Sequence, residues 1–258
     1  MDIVDILQGI LSLVYVVISF IIGLVIISKY GKFKNRLYLL VGLCWVSLST
    51  LWLPEAVSFI MSVFIQHTLA VEWHLIIGNI FFPIAIISWI FAFTDMINKQ
   101  KEKLAVSVVV IYGIVFEGLF FYFFSLGPSY IGVINPLRPF SADLGIFLTI
   151  LLLIGFITLF ITGIKFSRKS VKSENKEVRL KGKLLQFAFI AFTIAALLEK
   201  TARSILIGTV FPTPMIPIFG IDLLSVMLVV VRILLISSAF AFYGGFLLPR
   251  WMREIFFH

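Results

Sequence analysis

Seven long apolar runs constrain this chain more than any other feature. They lie at about residues 5–28, 37–65, 75–97, 104–126, 144–166, 184–207 and 221–248, each long enough for a helix across a hydrocarbon core about 30 Å thick. Backbone in lipid must satisfy its own hydrogen bonds, which leaves helices or closed barrels. The runs are continuous rather than alternating, and about twice the length of a barrel strand. The expected fold is therefore all-α: one polytopic seven-helix transmembrane domain over residues 1–258. Side chains are 61% hydrophobic and only 13% charged, against about 25% charged in a soluble domain. That balance removes the nucleic-acid reading that a net charge of +8 would otherwise invite.

The charges give an orientation. Lys29, Lys32, Lys34 and Arg36 follow the first run, and Lys99, Lys101 and Lys103 follow the third. Eight bases from Lys165 to Lys183 follow the fifth, and Arg250 and Arg253 follow the seventh. Only Arg138, Lys200, Arg203 and Arg232 among the 21 basic residues fall elsewhere. Basic loops stay in the cytoplasm. The chain is thus expected in the cell membrane with its N-terminus outside and its C-terminus inside, as an odd number of crossings requires. Met1-Asp2-Ile3-Val4-Asp5 is acidic where a signal peptide is basic, so the first run is expected to remain as a crossing. Trp73 and Trp251 suit the two interfaces, and residues 251–257 are expected as a short amphipathic stub. Proline-rich segments at 127–140 and 211–217 read as stiff, extended outer loops, expected as simple connectors at the bilayer surface, with a cap over the outer mouth of the bundle as the alternative. The lone Cys44 reads as a packing residue.

Ionisable residues at membrane depth are costly and mark bundle interiors or wet cavities. Here they are Glu55, Glu117, Glu199, Lys200, Arg203 and Arg232, with Asp222 near an outer end. Counting 1.5 Å per residue puts most of them in the outer half. Glu199 and Arg203 have pairing distance on one helix. Gln186, Thr193, Lys200 and Arg203 share a face of about 100°. The two expectations are a charge-paired network that fixes packing of helices two, four, six and seven, or an outward-open polar pocket there. Asn79, above Pro83, extends the candidate pocket. His67, Glu72 and His74 are too loosely spaced for a metal set, so no metal is expected. Asp95 reads as a solvated interface residue. Ser237, Ala241 and Gly245 form a small-residue stripe, expected to pack within the monomer.

Several chemistries lack their residues. The seventh run has no lysine for a retinal Schiff base, and three histidines, none central, do not make a haem site. No glycine-rich nucleotide loop and no serine–histidine arrangement is present. No cofactor and no catalytic residue is expected. The second run, Leu39-Leu40-Val41-Gly42-Leu43-Cys44-Trp45-Val46-Ser47-Leu48-Ser49-Thr50-Leu51-Trp52, has a small-plus-tryptophan texture, and the inner loops are short and basic. In these features and in topology the chain resembles the seven-helix sensor region of some prokaryotic histidine kinases. No kinase follows Trp251, so the resemblance implies a stand-alone sensor-like module that passes its signal to another protein. Loop 165–183 is the candidate contact for a cytoplasmic partner, beside its simpler role in topology and anionic-lipid contact. The leading expectation is a non-enzymatic receptor or sensor with a small-molecule or ion ligand from outside. A small transporter using buried carboxylates, Glu117 first, and a structural accessory subunit are the alternatives.

Overall fold

The computed structural model describes residues 3–136, 138–200 and 223–257. Arg203, Asp222 and the segment 211–217 lie outside the described residues. Seven helices among those described are long and apolar enough to cross a membrane: Ile3–Phe33, Arg36–Ile65, Val71–Ile97, Lys99–Leu126, Ile146–Val171, Lys176–Lys200 and Val226–Leu247. They are numbered as the first to seventh spans. Alternate connections place the basic segments at one end of the bundle. A β-hairpin occupies the other.

The spans do not close in simple sequence order. The first packs against the second and the seventh, and the sixth packs between the fifth and the seventh. The third touches the second, the fourth and the fifth. Six spans thus form a ring, in the order one, two, three, five, six, seven. The fourth lies against its outside, held by the third span and by a Tyr112 hydroxyl that donates to the Leu151 carbonyl at 2.6 Å. Only 22% of its most apolar window is buried, against 39–61% in the others. Its Phe116 and Phe120 face inward, whereas Phe121 is exposed.

Two spans are broken where proline removes a backbone donor. The second runs as an α-helix from Arg36 to Ser49, tightens into a 3₁₀ turn at Thr50–Trp52, and restarts at Leu53–Ile65 with Pro54 in its first turn. The third restarts at Phe82 with Pro83 in its first turn. Lipid offers no partner to the freed groups, so such breaks persist only when buried. Trp52, Pro54 and Phe82 are all buried.

Association in lipid depends on packing rather than on water exclusion. The tryptophans supply much of it. Trp45 stacks on Phe242 with ring centres 4.0 Å apart, and the Trp89 indole donates to Thr162 Oγ1 at 2.7 Å. Cys44 is fully buried. Gly245, from the small-residue stripe, packs directly on Leu185 of the sixth span.

The segment expected as a stiff connector is instead an antiparallel hairpin, β1 (Gly132–Asn135) with β2 (Arg138–Leu144). Gly132 pairs with Leu144 and Ile134 with Ala142. Pro128 lies in a preceding 3₁₀ turn and Pro136 between the strands, while Pro139 lies in β2 at the register shift that separates Ile134↔Ala142 from Asn135↔Arg138. Phe140 points down and is fully buried, edge-on to Phe59 at 6.0 Å. Arg138 reaches Asp5 at 3.7 Å. The hairpin therefore lies on the bundle.

At the basic end, Arg36 donates to Asp95 at 2.8 and 2.9 Å and to Glu102 at 3.0 Å, tying together the second, third and fourth spans. Lys99 meets the same two acids. These pairs are solvent-exposed on the Arg36 and Lys99 side, where ion pairs contribute little. Asp95→Asn is expected to change stability by less than about 1 kcal/mol in detergent unfolding. A larger loss would make this cluster a principal fastening. Beyond the seventh span, Arg250–Phe257 forms the expected short helix. Its Met252 is buried against Gly244, while Trp251, Ile255 and Phe256 are exposed.

Candidate functional site

The structure joins four spans through one buried ion network near the hairpin end. Glu55 sits in the first turn of the restarted helix in the second span. Free backbone N–H groups and the positive end of the helix dipole favour a carboxylate there. Arg232, from the middle of the seventh span, is fully buried and bonds both Glu55 and Glu199. Its contact to Glu199 Oε1 is 2.7 Å, and a second guanidinium nitrogen reaches Glu199 Oε2. The planar fork thereby bridges the second and sixth spans, a task that suits arginine better than lysine. Lys200 Nζ donates to the other Glu55 oxygen at 3.1 Å and stands 5.5 Å over the Trp52 ring. The Trp52 indole donates to Glu199 at 2.7 Å.

Adjacent residues on one helix normally diverge by about 100°, yet Glu199 and Lys200 both enter this network. Residues 197–200 form a wider π turn, in which neighbours diverge less. Such turns concentrate at functional sites. Charge is balanced within the described network: two carboxylates, Glu55 and Glu199, face two bases, Lys200 and Arg232. Glu55, Glu199 and Arg232 are each multiply bonded, as burial of ions demands, and Lys200 bonds Glu55 alone among the described residues.

The first span completes the site. Ser12 Oγ accepts from Arg232 Nε and donates to Glu55 Oε2, both at 3.0 Å. Gln8 Nε2 donates to Glu55 at 3.3 Å and to Ser141 of the hairpin. Tyr15 lies edge-on to Trp52 at 5.2 Å. Gln8, Ser12, Tyr15 and Ser19 are all fully buried and recur at helical spacing on one face. A search for charged residues in apolar runs misses them. The signal that finds them is a polar stripe inside an otherwise apolar run.

The candidate residues divide accordingly. Glu55, Glu199, Lys200 and Arg232 come together. Asn79 and His74 lie beside Lys200, lining a cleft with Leu51, Pro54, Gly78, Ala142 and Leu144. Asn79 donates to the Leu75 carbonyl at 2.8 Å. His67 is exposed. Glu117 stays apart on the peripheral fourth span: among the described residues it has no hydrogen bond or ion pair, and its Oε2 is buried without a partner. The expected site between helices two, four, six and seven thus has the first span where the fourth was expected. The expected Glu199–Arg203 pair lies outside the described residues. Within the described residues Glu199 accepts from Arg232 and Trp52.

This arrangement ties the first, second, sixth and seventh spans together through side chains. It offers no nucleophile–base pair, and no group of three or more metal-ligating side chains occurs among the described residues. No family model, curated protein or solved structure matches the chain, so its functional reading rests on the network itself.

Proposed function

We propose that this protein is a non-enzymatic seven-helix receptor or sensor of the cell membrane, with the hairpin outside and the basic loops in the cytoplasm. The observation that carries the reading is Arg232. One guanidinium ties the first, second and sixth spans to the seventh, and Gln8 connects the same network to the hairpin. A ligand arriving at the hairpin end would bear on ion pairs that set the packing of the sixth and seventh spans. The other ends of those spans adjoin loop 165–183 and the helix Arg250–Phe257. A ligand shifts such an equilibrium only by binding two packings unequally, so the reading requires a second packing of this ion network. The resemblance to kinase sensor regions is in line with this reading. Loop 165–183 would then hand the signal to a cytoplasmic partner.

The carboxylate of Glu117, whose Oε2 has no partner among the described residues, favours a second reading, a small ion-coupled carrier. The test uses the full chain in nanodiscs, spin-labelled at cysteines replacing Lys172 and Arg250. A panel of small solutes is screened for thermal stabilisation. The receptor reading expects a stabilising solute that changes the distance between the labels and gives no counterflow in proteoliposomes. Counterflow of that solute, abolished by Glu117→Gln, would establish the carrier instead. Stabilisation with unmoved labels would overturn the receptor reading.

A further inference from the structure

His74 of the third span is 4% exposed, and its Nδ1 is buried with no hydrogen-bond partner among the described residues. Buried polar atoms without partners are few in folded proteins and call for an explanation. In lipid the cost of leaving one unmet is higher still. The charges of Lys200 and Glu55 both act on this ring. The imidazole therefore lies beside the ion network, while its Nδ1 is not bonded into it.

Two further polar groups meet His74 in one cleft, Asn79 and Lys200. The Lys200 ammonium carries three donors, and Glu55 takes one of them at 3.1 Å. Asn79 gives Nδ2 to the Leu75 carbonyl at 2.8 Å, and its Oδ1 is an acceptor with two lone pairs. Pro54, Ala142 and Leu144 supply apolar wall. Size narrows the occupant: the cleft has room for about one water molecule, which excludes an organic solute. Charge narrows it further, because a metal cation would meet the Lys200 ammonium. A buried water is held by about three hydrogen bonds. The cleft offers a matching set, a donor at Lys200 Nζ and acceptors at His74 Nδ1 and Asn79 Oδ1.

We propose that this cleft binds one ordered water, which accepts from Lys200 Nζ and donates to His74 Nδ1 and Asn79 Oδ1. The water satisfies the imidazole nitrogen and fixes its tautomer, with the proton on Nε2. It also carries the ion network into the third span, which has no direct hydrogen bond to Glu55, Glu199, Lys200 or Arg232 among the described residues. The first, second, third, sixth and seventh spans are then joined at one point. Ala142 and Leu144 belong to β2, so the hairpin forms one wall of the water site. The site is independent of the receptor reading and holds for a carrier as well.

The test is proton-detected solid-state NMR of the full chain in nanodiscs, labelled with ¹⁵N-histidine. The chain has three histidines, so His67→Gln with His258→Gln leaves the His74 ring as the only reporter. The expected spectrum shows an unprotonated Nδ1, a protonated Nε2, and a cross-peak from Nδ1 to water protons that persists when the bulk solvent is frozen. Asn79→Leu keeps the side-chain shape and removes one acceptor, so this cross-peak should fall about threefold or more. Lys200→Met should remove it. The Asn79 variant keeps the test decisive if the lysine variant fails to fold, and the parent spectrum does so if both fail. A protonated Nδ1, no cross-peak with the bulk frozen, or a cross-peak of equal strength in Asn79→Leu would each overturn the assignment. So would an Nδ1 shift that follows chloride concentration, which would mark an anion in place of the water.

Discussion

Arg232→Met is expected to be the most damaging single substitution in the chain. Among the described residues it leaves Glu55 and Glu199 in the bundle with Lys200, Trp52, Ser12 and Gln8 to answer them. Breaking a buried ion pair by removing one partner costs about 3–5 kcal/mol, because the remaining charge stays buried and uncompensated. The variant should unfold at much lower detergent denaturant than wild type, or fail to accumulate as monodisperse protein. The sharper result is the rescue. In Arg232→Met with Glu199→Gln, one acid and one base of the described network remain, Glu55 and Lys200, already in contact at 3.1 Å. The double variant should recover stability relative to the single arginine variant, with a coupling of about 2 kcal/mol or more. Additive losses would show that the two side chains do not act as a unit. Membrane proteins often unfold irreversibly, so the comparison is made at matched scan rate.

The second large effect is expected far from any charge. At the crossing of the first and second spans, Gly23 and Gly42 bring the two backbones together. A Cβ built at Gly42 would stand 2.7 Å from the Gly23 carbonyl oxygen and 2.5 Å from Ile27 Cγ1. Backbone cannot step aside as a side-chain tip can. Gly42→Val should therefore separate the spans and displace Ser12 from Glu55 and Arg232, about three turns along the first span. Gly118, with open space around it, is the matched control. Gly118→Val should be nearly neutral. Unfolding midpoints and tryptophan emission, with Trp45 and Trp52 both in the second span, provide the readout. Similar behaviour of the two variants would contradict the close crossing.

Much of this architecture is legible in the amino-acid sequence. Hydrocarbon thickness sets a length threshold, and seven runs pass it. Seven helices of membrane length follow, with boundaries extended by a few residues where polar turns still hold helical hydrogen bonds, as at Ile3–Phe33 and Ile146–Val171. Glu55, Glu199, Lys200 and Arg232 are legible too, because ions inside apolar runs are too costly to stand alone. Their mutual contact follows from the same cost.

The features that the sequence hides have physical causes. Gln8 and Ser12 have modest transfer costs, so each passes unnoticed in an apolar run, and only their shared face marks them. The hairpin is masked by its prolines, which suggest extended backbone. The segment places Pro128 and Pro136 before and between the strands, takes up Pro139 at a register shift in β2, and uses Arg138 and Phe140 to hold the hairpin down. The place of the fourth span is not encoded in any local pattern. Its ring position depends on which neighbours the third and fifth spans find, and the depth of Glu117 in sequence says nothing about which way the helix turns. The convergence of Glu199 and Lys200 coincides with the π turn at 197–200, which has no simple sequence signature.

The most direct test of the account is a solid-state NMR measurement of guanidinium–carboxylate proximity in lipid. The protein is labelled with ¹⁵N-arginine and ¹³C-glutamate, with Arg36 and Arg253 replaced by lysine. Those substitutions remove the exposed contacts to Glu102 and Glu177. Strong dephasing between the two labels is expected to persist, and to fall when Glu55→Gln is added, because Arg232 holds both Glu55 and Glu199 inside the bundle. An arginine–glutamate signal that is absent in this background, or unchanged by Glu55→Gln, would contradict the four-span network and the function built on it.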